Sequence, residues 1–160
     1  MTLQSLSLLS NEKLHESGGT NFTVPGSGIP NWFHYHCKGS SICFWFRKKF
    51  PMIALCIVYS AHLLSHLIFF TIKLYVNGHE IESKSFLNSG HGIKENVHLF
   101  DFQNTLQSLS SDNEAMKEYI KDGWNHAELK LKGYVRWMGV YVYKQNHDKE
   151  DVRFSNPMIL

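Results

Sequence analysis

The chain lacks most of the features from which a catalytic or nucleic-acid-binding protein is built. Its 16 basic residues are nearly cancelled by 14 acidic ones. The positive excess with which nucleic-acid binders neutralise phosphates is therefore missing. Cysteine is scarce: Cys37, Cys43 and Cys56 form no CxxC pair and cannot all pair with one another, which argues for a reducing, intracellular setting, cytoplasmic or nucleocytoplasmic. The sequon Asn21-Phe22-Thr23 matters only in a secreted protein, and Met1 to Ser10 offers neither a basic start nor a cleavage site for a signal peptide.

Catalytic constellations are missing too. Gly26-Ser27-Gly28 is followed by neither GxxxxGK[ST] nor GxGxxG, so it does not build a phosphate loop. His62 and His66 are four apart but lack the glutamate of a zinc-protease motif. His34, His36 and Cys37 have no second Cys/His pair to complete a metal site. Cys56 lies in an apolar run, where a thiol is inert. Asp101, Glu114, Glu118 and Glu128 are scattered, with no pair placed as acid and base. The expectation is a protein with no catalytic residues, no metal and no cofactor.

What the sequence does have is aromatic residues, 14% of the chain, which favours strands and packed sheets. Residues 1–20 form a Ser-, Leu- and Asn-rich tail or linker. Asn21 to Val24 is a short strand, ended by the Pro25-to-Gly28 cluster, and Ile29 to Phe33 is an apolar turn. In Ser41 to Arg47, Ile42, Phe44 and Phe46 alternate with Cys43, Trp45 and Arg47, the two-residue period of a strand with one buried face. Met52 to Tyr59 has the length and Ile/Val content of a buried strand. Leu67 to Val76 continues with Phe70, Ile72, Leu74 and Val76 on one side. Asn77-Gly78 is a hairpin signal, because both residues tolerate the positive φ of a type I′ turn, and the return strand runs from His79 to about Phe86.

Extended sequence resumes from Asn96 to Phe102, and Asp112 to Lys121 is the one helix candidate. Trp124 to Lys132 alternates Ala127, Leu129 and Leu131 with polar residues, as a half-solvated antiparallel strand does. In the last strand Met138, Val140 and Val142 alternate with Trp137, Tyr141 and Tyr143. From 146 onward a polar tail is expected. This pattern predicts an all-β, antiparallel β-sandwich with one short helix, its domain spanning 21–145.

A second reading takes the apolar stretch from Pro51 to Val76, centred on residues 52–70, as a single membrane span. His62, Ser65, His66 and Lys73 interrupt it, and buried strands imitate spans in hydropathy. The two-strand reading is therefore preferred.

The segment Val24 to Phe33, followed by Gly39-Ser40-Ser41-Ile42, resembles the opening PGSEIPxWF and GSSI blocks of the domain that follows the leucine-rich repeats in plant TIR, nucleotide-binding, leucine-rich-repeat receptors. Gly28 departs from the family's usual Glu. Ala54 to Ser60, His98-Leu99-Phe100-Asp101, Trp124-Asn125-His126-Ala127-Glu128 and Gly139-Val140-Tyr141-Val142-Tyr143 match in the same order.

The resemblance implies a jelly-roll or Ig-like sandwich, packed against the repeats and helping to recognise pathogen effector proteins. Its implied partners are proteins, an effector or the receptor's own repeats. The receptor's other domains and any LxxLxLxxN repeat are missing from the chain. Independently of the family, Pro25, Gly26 and Pro30 restrict the backbone so that Ile29, Trp32 and Phe33 enter the core as one apolar plug, and Trp124 anchors a strand. Partner contact is expected from the His34 to Lys38 loop, with His34, Tyr35, His36 and Lys38, from the connections at His62 to His66 and Ser89 to Lys94, and from Tyr141 and Tyr143 pointing outward.

Overall fold

The computed structural model describes residues 21–25, 28–29, 31, 33–60, 67–89, 95–101, 114–133, 135–143 and 151–158. Of the expected plug and loops, Gly26, Pro30, Trp32, the connection at 62–66 and the loop at 90–94 lie outside them.

Among the described residues ten strands run β1 (Asn21–Pro25), β2 (Tyr35–Lys38), β3 (Ser41–Arg47), β4 (Ile53–Ser60), β5 (Leu67–Val76), β6 (His79–Ser89), β7 (Glu95–Asp101), β8 (Trp124–Lys132), β9 (Val135–Val142) and β10 (Val152–Arg153). A short helix, α1 (Glu114–Tyr119), precedes β8. The strands form two five-stranded sheets, ordered β1-β7-β4-β9-β2 (sheet A) and β10-β3-β8-β5-β6 (sheet B). All pairings are antiparallel. The described residues thus form the expected all-β sandwich with a short helix; α1 stops at Tyr119, before the expected Lys121, and β6 runs past Phe86. Among the described residues no helix is long and apolar enough to cross a membrane. Apart from Met52, the described part of the 52–70 stretch is strand.

Alternation builds the main core. Ile42, Phe44 and Phe46 of β3, Phe70, Ile72, Leu74 and Val76 of β5, and Ala127, Leu129 and Leu131 of β8 point inward from sheet B. Ile53, Leu55, Ile57 and Tyr59 of β4 and Met138 and Val140 of β9 meet them from sheet A.

Sheet A also has a second apolar layer on its outer face: Ala54, Cys56 and Val58 of β4, Val97 and Leu99 of β7, and Tyr141 and Tyr143, closed over by Phe33 with Ile29 and Met52. Every residue of β4 from Ile53 to Tyr59 is therefore buried. That double burial accounts for its unbroken, membrane-like hydropathy. The plug formed by Ile29 and Phe33 caps the outside of sheet A rather than entering the space between the sheets. It fits because Gly139 has no side chain: a methyl there would lie 2.8 Å from Ile29 Cγ2 and 2.9 Å from Phe33 Cδ2.

The polar tail expected from 146 is corrected by β10, which pairs Val152 with Phe46 and Arg153 with Trp45. Asp151 is buried against Arg47, with Nε 2.7 Å from Oδ1, and lies near Lys48 at 3.5 Å. The Arg47 hydrogen bond holds its carboxyl below the usual carboxylate range, with Lys48 adding to the effect. Phe154 stacks on Tyr35 at 4.8 Å and approaches Phe44 at 6.3 Å, so it bridges the β2 edge of sheet A and the β3 side of sheet B. A segment without apolar periodicity is fixed by one carboxylate and one ring.

His98 sits opposite Ile57 in β7, on the inter-sheet side, and is 2% exposed. Burial lowers its pKa to about 4, against 6.5 for the free side chain. Below pH 6.5 the unfolded chain takes up a proton that the folded chain refuses. Stability is therefore expected to fall as pH drops from 6.5 towards 4, by about 3 kcal/mol, and to level off below. Urea midpoints measured across that range should show this slope, and His98→Gln should flatten it.

Candidate protein-binding surface

The sequence places partner contacts on a His34–Lys38 loop, but the structure makes Tyr35–Lys38 the edge strand β2, paired with β9 from Val140 to Trp137. A short polar and aromatic stretch with one cysteine carries too little periodicity to distinguish a loop from an edge strand. His34, His36 and Lys38 are exposed, whereas Tyr35 turns inward and packs against the main core. His34 stacks on Tyr141 at 4.6 Å, and its Nδ1 accepts a hydrogen bond from the Val142 N–H at 2.9 Å.

Tyr141 and Tyr143 are a clear correction. They occupy the face opposite Met138 and Val140, as alternation requires, but are only 2% and 3% exposed. Alternation specifies two faces and does not tell which of them meets solvent. Here the segment bearing Ile29 and Phe33 covers the second face, so neither tyrosine offers contact area.

The solvent-facing surface with the richest chemistry is the outer face of sheet B, which the single-strand patterns left unread. Cross-strand register assembles it in rows. Arg153, Trp45 and His126 form one row, and Cys43, Glu128, Tyr75 and Glu80 another. Ser41, Lys130, Lys73 and Ser83 form a third.

Trp45 meets His126 edge-on at 4.7 Å, and the Arg47 guanidinium lies 4.9 Å over the Trp124 ring, so Trp124 is a half-buried surface anchor rather than a core residue. Glu128 accepts hydrogen bonds from Ser41 Oγ at 3.4 Å and Cys43 Sγ at 3.6 Å and pairs with Lys130 at 3.4 Å. Outward positions on β3, β8 and β5 were visible in the sequence. What could have joined them into one face was the order of β3, β8 and β5 in the sheet, which no local pattern encodes.

At one end of this face lies a buried polar hub. Asn125, fully buried, accepts from the Lys121 N–H at 2.7 Å and from Asn77 Nδ2 at 2.9 Å, and donates to the carbonyls of Lys121 at 3.0 Å and Gly123 at 3.3 Å. Asn77, at φ 50° in the hairpin turn, also donates to the Tyr119 carbonyl and accepts from the His126 N–H. The two amides tie the β5–β6 turn, the end of α1 and the start of β8 together.

Thiol chemistry is disfavoured throughout. Burial raises the Cys37 thiol and takes Cys56 far above the ordinary thiol range. Burial, then the Glu128 carboxylate, pushes Cys43 up to about 11. At neutral pH none is a ready nucleophile. Among the described residues no group of three or more His, Cys, Asp or Glu is placed to hold a metal ion.

Two packed sheets, one with much of its outer face covered by its own chain and the other presenting aromatic and charged side chains to solvent, define an all-β sandwich. A family model described as the C-JID domain matches residues 24–148, and the chain belongs to this family, the C-terminal domain that follows the leucine-rich repeats in plant TIR-type disease-resistance receptors. No curated protein matches the chain.

Proposed function

We propose that this chain is a non-catalytic, intracellular recognition module of a plant immune receptor that contacts a pathogen effector protein through the outer face of sheet B. The observation behind this reading is the asymmetry of the sandwich. Sheet A spends its outer face on an internal apolar layer, while sheet B keeps Trp45, Tyr75 and Trp124 half-exposed among charged side chains. Aromatic and arginine side chains held rigidly on strands are the residues that dominate protein interfaces. His34, His36 and Lys38, on the β2 edge of sheet A, form a smaller accessory surface under this reading.

The test is surface plasmon resonance of the full chain against a panel of secreted pathogen proteins. For a binder so found, Trp45→Ala is expected to weaken affinity by about 30-fold with the melting temperature unchanged, as for a typical interface hot spot. An affinity that is insensitive to Trp45→Ala and to Trp124→Ala would remove this face as the contact.

A further inference from the structure

The geometry points to an acidic protein segment as the partner of the sheet B face, one that sets carboxylates on a lysine cluster and an apolar side chain beside Trp45. This rests on the recognition reading above and specifies the chemistry of the same face. Lys73 and Lys130 stand directly opposite one another in the β5–β8 register, and Lys132 follows two residues along β8 on the same side. Like charges placed directly opposite across a sheet repel and destabilise the pair. The pair stands on a solvent-facing surface, where core packing does not require a lysine at either position.

The face's own carboxylates relieve it only in part. Lys73 reaches Glu80 at 3.6 Å and Lys130 reaches Glu128 at 3.4 Å, with the lysine side chains 43% and 53% exposed. Pairs this exposed are weak and exchange readily for a better partner. Glu128 is further occupied by Ser41 and Cys43.

The surroundings supply the rest of a carboxylate cradle. Ser41 and Ser83 flank the opposed lysines in their row. Thr71, opposite Lys132, shares a hydrogen bond of 2.9 Å with Ser85. The Lys130 ammonium lies 5.1 Å over the Tyr75 ring, which orients it along the face. Arg153 adds a further basic side chain to the three lysines, against Glu80 and Glu128, while Arg47 at the edge of the face is paired with Asp151.

Glu80 and Glu128 lie among the lysines and would repel a continuous phosphate backbone, and Trp45 is already engaged edge-on with His126. Both features favour a protein segment with spaced carboxylates over a nucleic acid.

The test uses the full chain and three fluorescein-labelled probes read by anisotropy: a short peptide alternating Asp and Leu, the same peptide with Lys in place of Asp, and a single-stranded oligonucleotide. The acidic peptide is expected to bind at least about tenfold tighter than either other probe, and to weaken about tenfold as salt is raised. The combined change Lys73→Glu, Lys130→Glu and Lys132→Glu is expected to abolish its binding, and the three Lys→Gln changes to weaken it about tenfold. Equal binding of the acidic and basic peptides, tighter binding of the oligonucleotide, or full affinity in the folded Lys→Glu variant would overturn the inference. A pathogen protein whose binding is lost with Trp45→Ala but kept with all three lysines reversed would overturn it while leaving the recognition reading intact.

Discussion

Gly139→Val is expected to destabilise the domain by about 3 kcal/mol, among the largest effects of any single substitution in it. Even the first added carbon meets Ile29 and Phe33 below 3 Å, and valine adds two more methyls against the same wall. The added β-propensity of valine offsets only a fraction of this. Relief requires the plug to lift, which exposes Phe33, now 6% accessible, together with the apolar layer of β4, β7 and β9 beneath it. Chemical denaturation should show the loss. Adding Phe33→Ala to Gly139→Val should cost less than the two changes made separately, because the Phe33 part of the clash disappears with the ring while the Ile29 contact stays.

Asn125→Ala should match it at about 3 kcal/mol, by a different mechanism. The substitution removes the acceptor of the Lys121 N–H and of one Asn77 Nδ2 proton and the donor to two carbonyls at a part-buried junction, and each lost bond costs on the order of 1 kcal/mol. Because Asn77 holds both the hairpin turn and β8, hydrogen exchange should accelerate at Asn77, Lys121 and His126 before it does in β4. A thermal melt unchanged from wild type would mean that Asn125 is not the hub of these three elements.

Both effects mark what the sequence could and could not reveal. Strands β3, β5 and β8 were legible because one face of each is apolar and the other polar, so period and direction coincide. The NG turn was legible from its backbone demand. Gly139 carried no local signal: its need arises from Ile29 and Phe33, more than a hundred residues earlier.

The burial of Asn125 depends on α1 and the β5–β6 turn closing around it, which no local pattern in Trp124 to Lys132 announces. Tyr141 and Tyr143 were assigned to the right side of β9, but whether that side is wet depends on another segment. β10 was missed because its two residues are held by Asp151 and Phe154 rather than by an apolar repeat. The candidate face on sheet B was the least legible part, since it exists only once β3, β8 and β5 lie side by side.

The strict separation of inward and outward positions in sheet B has a consequence for how such a domain changes over generations. Residues 42, 44 and 46 hold the core while 43, 45 and 47 meet solvent, and β8 and β5 divide their labour in the same way. Outward replacements of this kind ordinarily alter stability by about 0.5 kcal/mol or less. The outer face of sheet B can therefore change by single codons without passing through an unfolded ancestor, while the interior stays the same.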